Sequence, residues 1–165
     1  MIDRERVHFR PSEEGDTKHL IQWLMEPGVL RWFPMFNYQE VEDAAKSWIS
    51  YRHKGSCITV EYDKKPCGIS NLYIQPFQRL KHQCLFAIII SQKYRGKGLG
   101  SLLLDEMQKL AKETFQIKLL HLEVYEDNPA VRLYKRHGFE IYGRHERFLK
   151  EPDGYRTKIL MQKYL

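Results

Sequence analysis

A chain of 165 residues, 42% hydrophobic and 29% charged, is long enough for one sizeable core and has the polarity of an ordinary water-exposed surface. Lys and Arg number 27 against 21 Asp and Glu, a net charge of +6, yet no block of five or six like charges occurs, so an electrostatic nucleic-acid arm is not expected. Cys57, Cys67 and Cys84 are odd in number and lack C-x-x-C spacing, so neither a disulfide framework nor a cysteine zinc site is indicated, and the longest uncharged apolar run, Cys84 to Ser91, is too short to span a bilayer.

Arg4 to Arg10 reads as a first strand stopped by Pro11. Asp16 is placed to cap a helix over Thr17 to Glu26, which Pro27-Gly28 breaks. A short helical piece follows over Val29 to Phe33. Asn37 or Tyr38 opens another helix, running to about Lys54 and ended by Gly55. Ser56 to Tyr62 and Cys67 to Gln75 flank a turn sequence at Asp63-Lys64-Lys65-Pro66 and predict a hairpin. Gln83 to Ser91 (QCLFAIIIS) is apolar on both faces, as a central strand is. A helix is expected from about Gly98 to Phe115 and a strand over Ile117 to Tyr125. Asn128 as cap and Pro129 at the first position open a last helix, ended by Gly138. Phe139 to Leu149 and Tyr155 to Tyr164 close the chain as two strands. The pattern predicts one mixed α/β sheet, and residues 1–165 are expected to form one domain. The opening MIDRERVHFRP has no apolar signal-peptide run, and with unpaired thiols this points to a cytoplasmic setting.

Between the central strand and its following helix stands YRGKGLGS, Tyr94 to Ser101. The first N–H groups of a helix lack internal partners and carry partial positive charge, and glycines let an anion approach them without an intervening Cβ. Arg95 and Lys97 add formal charge. Gly96, Gly98 and Gly100 give G-x-G-x-G, which is not the dinucleotide fingerprint, and no P-loop Lys-Ser or Lys-Thr pair is present.

The segment resembles the acyl-CoA loop of the GCN5-related N-acetyltransferase (GNAT) family, [QR]-x-x-G-x-[GA], with Arg95, Gly98 and Gly100 in register. Downstream, LEVYEDNPAVRLYKRHGFEIYGR (Leu122 to Arg144) is similar to that family's next segment through Leu133, Tyr134, Gly138 and Phe139. The resemblance implies an α/β fold built on a mixed, mostly antiparallel sheet of about seven strands. Helices would cover both faces, and the sheet would be splayed between the fourth and fifth strands. It further implies acetyl transfer from acetyl-CoA, without a metal, by direct attack of a primary amine on a small molecule or a protein N-terminus. A non-catalytic acyl-CoA-binding module on the same fold is the alternative, and a homodimer is compatible with either.

On this resemblance the loop residues Arg95, Gly96, Lys97, Gly98, Leu99, Gly100 and Ser101 would hold the coenzyme's pyrophosphate. Ile88, Ile89 and Ile90 would offer backbone groups to its pantetheine arm. Tyr134 would protonate or hydrogen-bond the departing sulfur. The family places an Asn seven residues before that Tyr; here Asp127 stands at that spacing and Asn128, one residue later, is the candidate contact. Glu123 is the candidate base, on the expectation that burial in an apolar strand raises its pKa, with His82 and His121 as alternatives. Trp23, Trp32, Phe33, Phe36 and Tyr38 are candidate acceptor walls, and Glu26, Glu40 and Glu42 could attract a cation there.

Overall fold

The computed structural model describes all 165 residues. Seven strands form one sheet in the order β1-β2-β3-β4-β5-β7-β6. They are β1 (Val7–Pro11), β2 (Cys57–Tyr62), β3 (Lys65–Leu72), β4 (Gln83–Ile90), β5 (Leu119–Tyr125), β6 (Glu140–Glu151) and β7 (Gly154–Tyr164). Four helices accompany them: α1 (Thr17–Leu24), α2 (Tyr38–Ser50), α3 (Leu99–Glu113) and α4 (Ala130–Arg136). Every neighbouring pair is antiparallel except β4 and β5. The mixed, mostly antiparallel sheet of seven strands is therefore present as expected.

That parallel pair carries the consequence for function. Its ladder has three rungs, Gln83↔Leu119, Cys84↔Leu120 and Leu85↔His121, and then stops. Both strands continue beyond it, to Ile90 and Tyr125. The sheet is thus split along the C-terminal halves of β4 and β5, as the resemblance implies.

Side-chain alternation assigns the two faces. Cys84, Phe86, Leu120, Leu122 and Val124 pack with Leu104 and Met107 of α3 and with Tyr134 of α4. Ile69 and Ile89 pack on the other side with Leu20 and Trp23 of α1 and Val41, Ala45 and Trp48 of α2. Helices cover both faces, but α1 and α2 lie over the β2–β4 half. His121 and Glu123 point to the α1/α2 face by the same alternation.

Several local expectations are corrected. Arg4–Arg6 is a tight turn and not strand, and Pro11 sits within β1, tolerated because β1 is an edge. Asp16 does not cap α1; its carboxylate accepts bonds from Arg10 (2.8 and 2.9 Å), Thr59 Oγ1 (2.9 Å) and Glu13 N (2.8 Å). Three competing donors, one of them charged, outbid the helix terminus. Asn37 caps α2 as expected, accepting from Glu40 N at 2.9 Å. The β2–β3 turn is shorter than expected: Asp63 and Lys64 both take positive φ (51° and 61°), so Lys65 already pairs with Tyr62.

Candidate active site

The split between β4 and β5 opens a cleft of about 450 Å³. Its walls come from β4 (Phe86 to Ile90), the loop before α3 (Arg95, Gly96, Gly100), β5 (Leu122 to Val124), the start of α4 (Asn128 to Ala130, Leu133, Tyr134) and the α1–α2 connection (Val29, Trp32, Phe33). Residues from both faces line it, so the cleft passes through the sheet.

Backbone makes one side of it. Among the N–H groups of residues 96–101, none donates to an acceptor within the protein; Leu102 is the first in α3 to do so, to Gly98 O at 3.2 Å. Gly96 and Gly98 sit at φ 71° and 90°, a region that L residues avoid, and a Cβ at either position would meet nothing within 4 Å. Six unpartnered N–H groups at a helix start, beside open space, fit an anionic ligand. Gly100 serves packing instead: a Cβ there would lie 3.4 Å from Leu133 Cδ2. Leu99 contributes only its N–H, its side chain being core. Lys97 is exposed, its ammonium 5.6 Å from the Tyr94 ring. Arg95 Nε donates to Ile90 O at 2.9 Å, which holds the loop against the end of β4.

The three isoleucines divide by parity. Tyr73 N donates to Leu85 O and Ser91 N to Cys67 O, so odd-numbered backbone groups of β4 face β3. Ile89 O likewise points at Gly68. The backbone of Ile89 is therefore not offered to the cleft, which corrects the expectation for that residue. Phe86 and Ile88 present theirs toward the missing part of the β5 ladder, and Ile90 O is already taken by Arg95. No sequence motif marks Phe86; only strand parity does.

Tyr134 is buried, with Phe86 and Phe139 rings edge-on at 6.1 Å. Burial alone pushes its hydroxyl above the ordinary value of 10.0; no hydrogen bond or charge contributes. It is a protonated, unpartnered hydroxyl on the cleft wall. Asn128 also lines the cleft, and its Oδ1 accepts from Ala130 N at 2.9 Å, leaving the amide nitrogen unused. Asp127 is exposed at φ 71° and does not line the cleft.

Glu123 lines the cleft but is not buried. Its side chain is 46% exposed and pairs with Lys158 Nζ at 3.2 Å. Burial is therefore not what would activate it, contrary to expectation: on β5 it points to the α1/α2 face, where no helix lies over it. Lys158 is itself buried, with Phe148 at 3.7 Å from its ammonium. His121 Nε2 meets Gln83 Oε1 at 2.5 Å, and burial lowers its pKa. His82 is exposed in the turn before β4.

The expected acceptor walls divide too. Trp32 and Phe33 line the cleft; Trp23 is core, while Phe36 and Tyr38 are exposed outside it. The three acids are all committed elsewhere. Glu26 accepts from Ser91 Oγ (3.1 Å) and Gln92 N (2.9 Å), Glu40 from Phe36 N, and Glu42 pairs with Lys46 at 2.8 Å. Arg156, at the start of β7, was not anticipated. Its guanidinium lies 4.9 Å from the Trp32 ring and 5.1 Å from Tyr125, bonds the Arg31 carbonyl and faces Glu151 at 3.6 Å. It ties the α1–α2 connection to the β6–β7 hairpin.

The cleft thus sets a cluster of unpaired amides, suited to an anion, beside the open edges of a split parallel pair. The acetyltransferase (GNAT) family model matches residues 18–139, and the chain belongs to that family. It is 31% identical to the L-amino acid N-acetyltransferase AaaT of Escherichia coli K12 over 77 residues, 46% of this chain and 48% of that protein, about half of its length. It is 28% identical to the spermidine N(1)-acetyltransferase of the same strain over 167 residues, covering 98% of this chain and 87% of that one. The solved spermidine N-acetyltransferase of Vibrio cholerae in complex with CoA and spermine shares the fold: TM-score 0.77, 21% identity, 97% of this chain and 96% of that one covered.

Proposed function

We propose that residues 1–165 act as one acetyl-CoA-dependent N-acetyltransferase domain that acetylates a primary amine by direct attack. The observation that carries this is the cleft itself: it joins the unpaired amides of residues 96–101 on one face to Glu123 on the other, past the Tyr134 hydroxyl. The residues fit the coenzyme. Arg95 and the 96–101 amides would hold the pyrophosphate, Phe86 and Ile88 backbone groups the amide-bearing arm, and the Asn128 amide nitrogen a carbonyl of that arm.

Acetyl-CoA supplies an activated acetyl thioester. Tyr134, kept protonated by burial, donates to the sulfur as it leaves. Glu123 holds the incoming ammonium at the cleft and takes its proton directly or through water, the route its exposure leaves open. No thiol is needed. Cys57, Cys67 and Cys84 are buried and protonated.

Of the 19 residues lining the cleft, only Arg95 and Glu123 are charged, and Val29, Trp32 and Phe33 are apolar. This supports an acceptor with one ammonium flanked by apolar groups, a small molecule or a protein N-terminus, over a polyamine whose further charges would find no second carboxylate there. The test is acetyl-CoA consumption across small monoamines, N-terminal peptides and spermidine. Turnover with a monoamine or peptide is expected; CoA binding without turnover on any amine would leave a binding module instead. A cytoplasmic setting agrees with the three free thiols, and no helix is long and apolar enough to cross a membrane.

A further inference from the structure

Ser101, in the first turn of α3, does not stand alone. Its Oγ lies 2.6 Å from His137 Nε2, and His137 Nδ1 lies 3.1 Å from Asp105 Oδ1. Ser101 and Asp105 are four residues apart on one face of α3. His137 closes α4 at its C-terminal end, three residues after Tyr134, with a side chain 12% exposed. The chain of three therefore joins the helix that starts at the glycine loop to the helix that carries Tyr134. Other charges around His137 are the exposed Lys135 and Arg136 of its own helix and, from β7, Lys163, which packs by Gly138 and bonds Gln108 of α3.

A carboxylate only accepts, so Nδ1 facing Asp105 carries hydrogen. If His137 is neutral, Nε2 is then a lone pair and consumes the Ser101 proton. The hydroxyl would show only lone pairs to whatever sits over the α3 amides, which repels an anion. If His137 is charged, Nε2–H donates to Oγ and the Ser101 proton is free to turn outward as one more donor. An anion over residues 96–101 and a proton on His137 therefore strengthen each other, and by linkage each raises the affinity of the other.

We propose that His137, held by Asp105, is a positioning residue that turns the Ser101 hydroxyl toward the coenzyme's pyrophosphate by taking up a proton as the coenzyme binds. This rests on the reading of residues 96–101 as the pyrophosphate site.

Dephospho-CoA is the probe, because it lacks the 3′-phosphate whose own titration would interfere. Calorimetric titration at one pH in two buffers of different ionisation enthalpy counts the protons taken up. Wild type should take up part of one proton, and dephospho-CoA affinity should fall as pH rises from 6 to 8.5 by up to about tenfold, the size of one hydrogen bond to a charged group. Ser101→Ala should lose the uptake and the pH dependence. His137→Gln, whose amide can donate to Oγ at any pH, should keep the affinity seen at low pH with no uptake. In turnover, both changes should fall on KM for acetyl-CoA more than on kcat. Equal uptake in wild type and Ser101→Ala, or an unchanged pH dependence in His137→Gln, overturns the proposal while leaving the coenzyme site standing. If His137→Gln does not fold, Ser101→Ala against wild type decides the matter alone. A wild-type protein that binds neither CoA nor dephospho-CoA overturns the coenzyme reading and this one with it.

Discussion

The two faces of the split sheet are built from different materials. On the α3/α4 face the loop end of the cleft is made of main chain: six N–H groups and two left-handed glycines within a few consecutive residues. On the α1/α2 face it is made of side chains gathered from afar, Trp32 from a connection and Glu123 from β5, each held in turn by a β7 residue outside the lining, Arg156 and Lys158. A site made of backbone needs a fixed local sequence and leaves a spelled motif. One made of converging side chains can be assembled from many sequences, so it is free to differ between proteins that share a reaction.

The strongest way to break the comparison is Gly98→Val. Valine at φ 90° is strained, and its side chain would fill the open space above the amides. CoA affinity should fall about 100-fold, two charge-assisted bonds' worth, with a smaller loss of thermal stability. A folded variant with unchanged affinity would mean that the amides hold nothing. Next comes Tyr134→Phe, which should lower kcat by about 100-fold while leaving acetyl-CoA binding close to wild type. Burial raises the Tyr134 pKa, so the acid stays protonated as pH climbs; wild-type kcat should show no loss assignable to it below pH 10. A decline near pH 8 that disappears in the variant would contradict this.

On the side-chain face the effects should be smaller and confined to the acceptor. Glu123→Gln should lower kcat/KM for the amine about tenfold without moving KM for acetyl-CoA. It should also destabilise the fold, because Lys158 stays buried without its partner. Arg156→Met should raise the amine KM about threefold, the cost of the lost stacking on Trp32 and of a looser α1–α2 connection. Should either variant change CoA affinity instead, the faces are not independent.

Legibility in the sequence follows the same line. The sheet, the loop and the α4 start could be read because each is local: glycine spacing, a capping Asn128, a β-branched central strand. The parity that removes Ile89 and admits Phe86 was invisible, because it depends on which neighbour a strand has on each side. The exposure of Glu123 is hidden in the sequence for a related reason. An apolar strand context says that one face is buried, not that both are, and the odd face of β5 has no helix over it. Arg156 and Lys158 sit in GYRTKIL with nothing to mark them; only the fold brings them to Trp32 and Glu123.

The smallest expected effect concerns the thiols, and it guards the premise that both substrates meet in one cleft. Transfer through an enzyme cysteine would need no such meeting. Burial pushes Cys57 up to about 11 and Cys67 and Cys84 up to about 12, from an ordinary 9.0. The native protein should therefore resist iodoacetamide at pH 7.5 and keep its activity, releasing all three thiols only on unfolding. Initial rates should give a sequential rather than a ping-pong pattern. The same shifts set a pH window. A thiol whose folded pKa lies above its unfolded one contributes stability in full below pH 9, and that contribution is lost as pH rises through 11 to 12. Thermal stability should accordingly begin to fall above pH 9, and less steeply in Cys84→Ala once its lower baseline is allowed for. Rapid labelling of the folded enzyme with loss of turnover would put a nucleophile in the cleft and dissolve the division between its two faces.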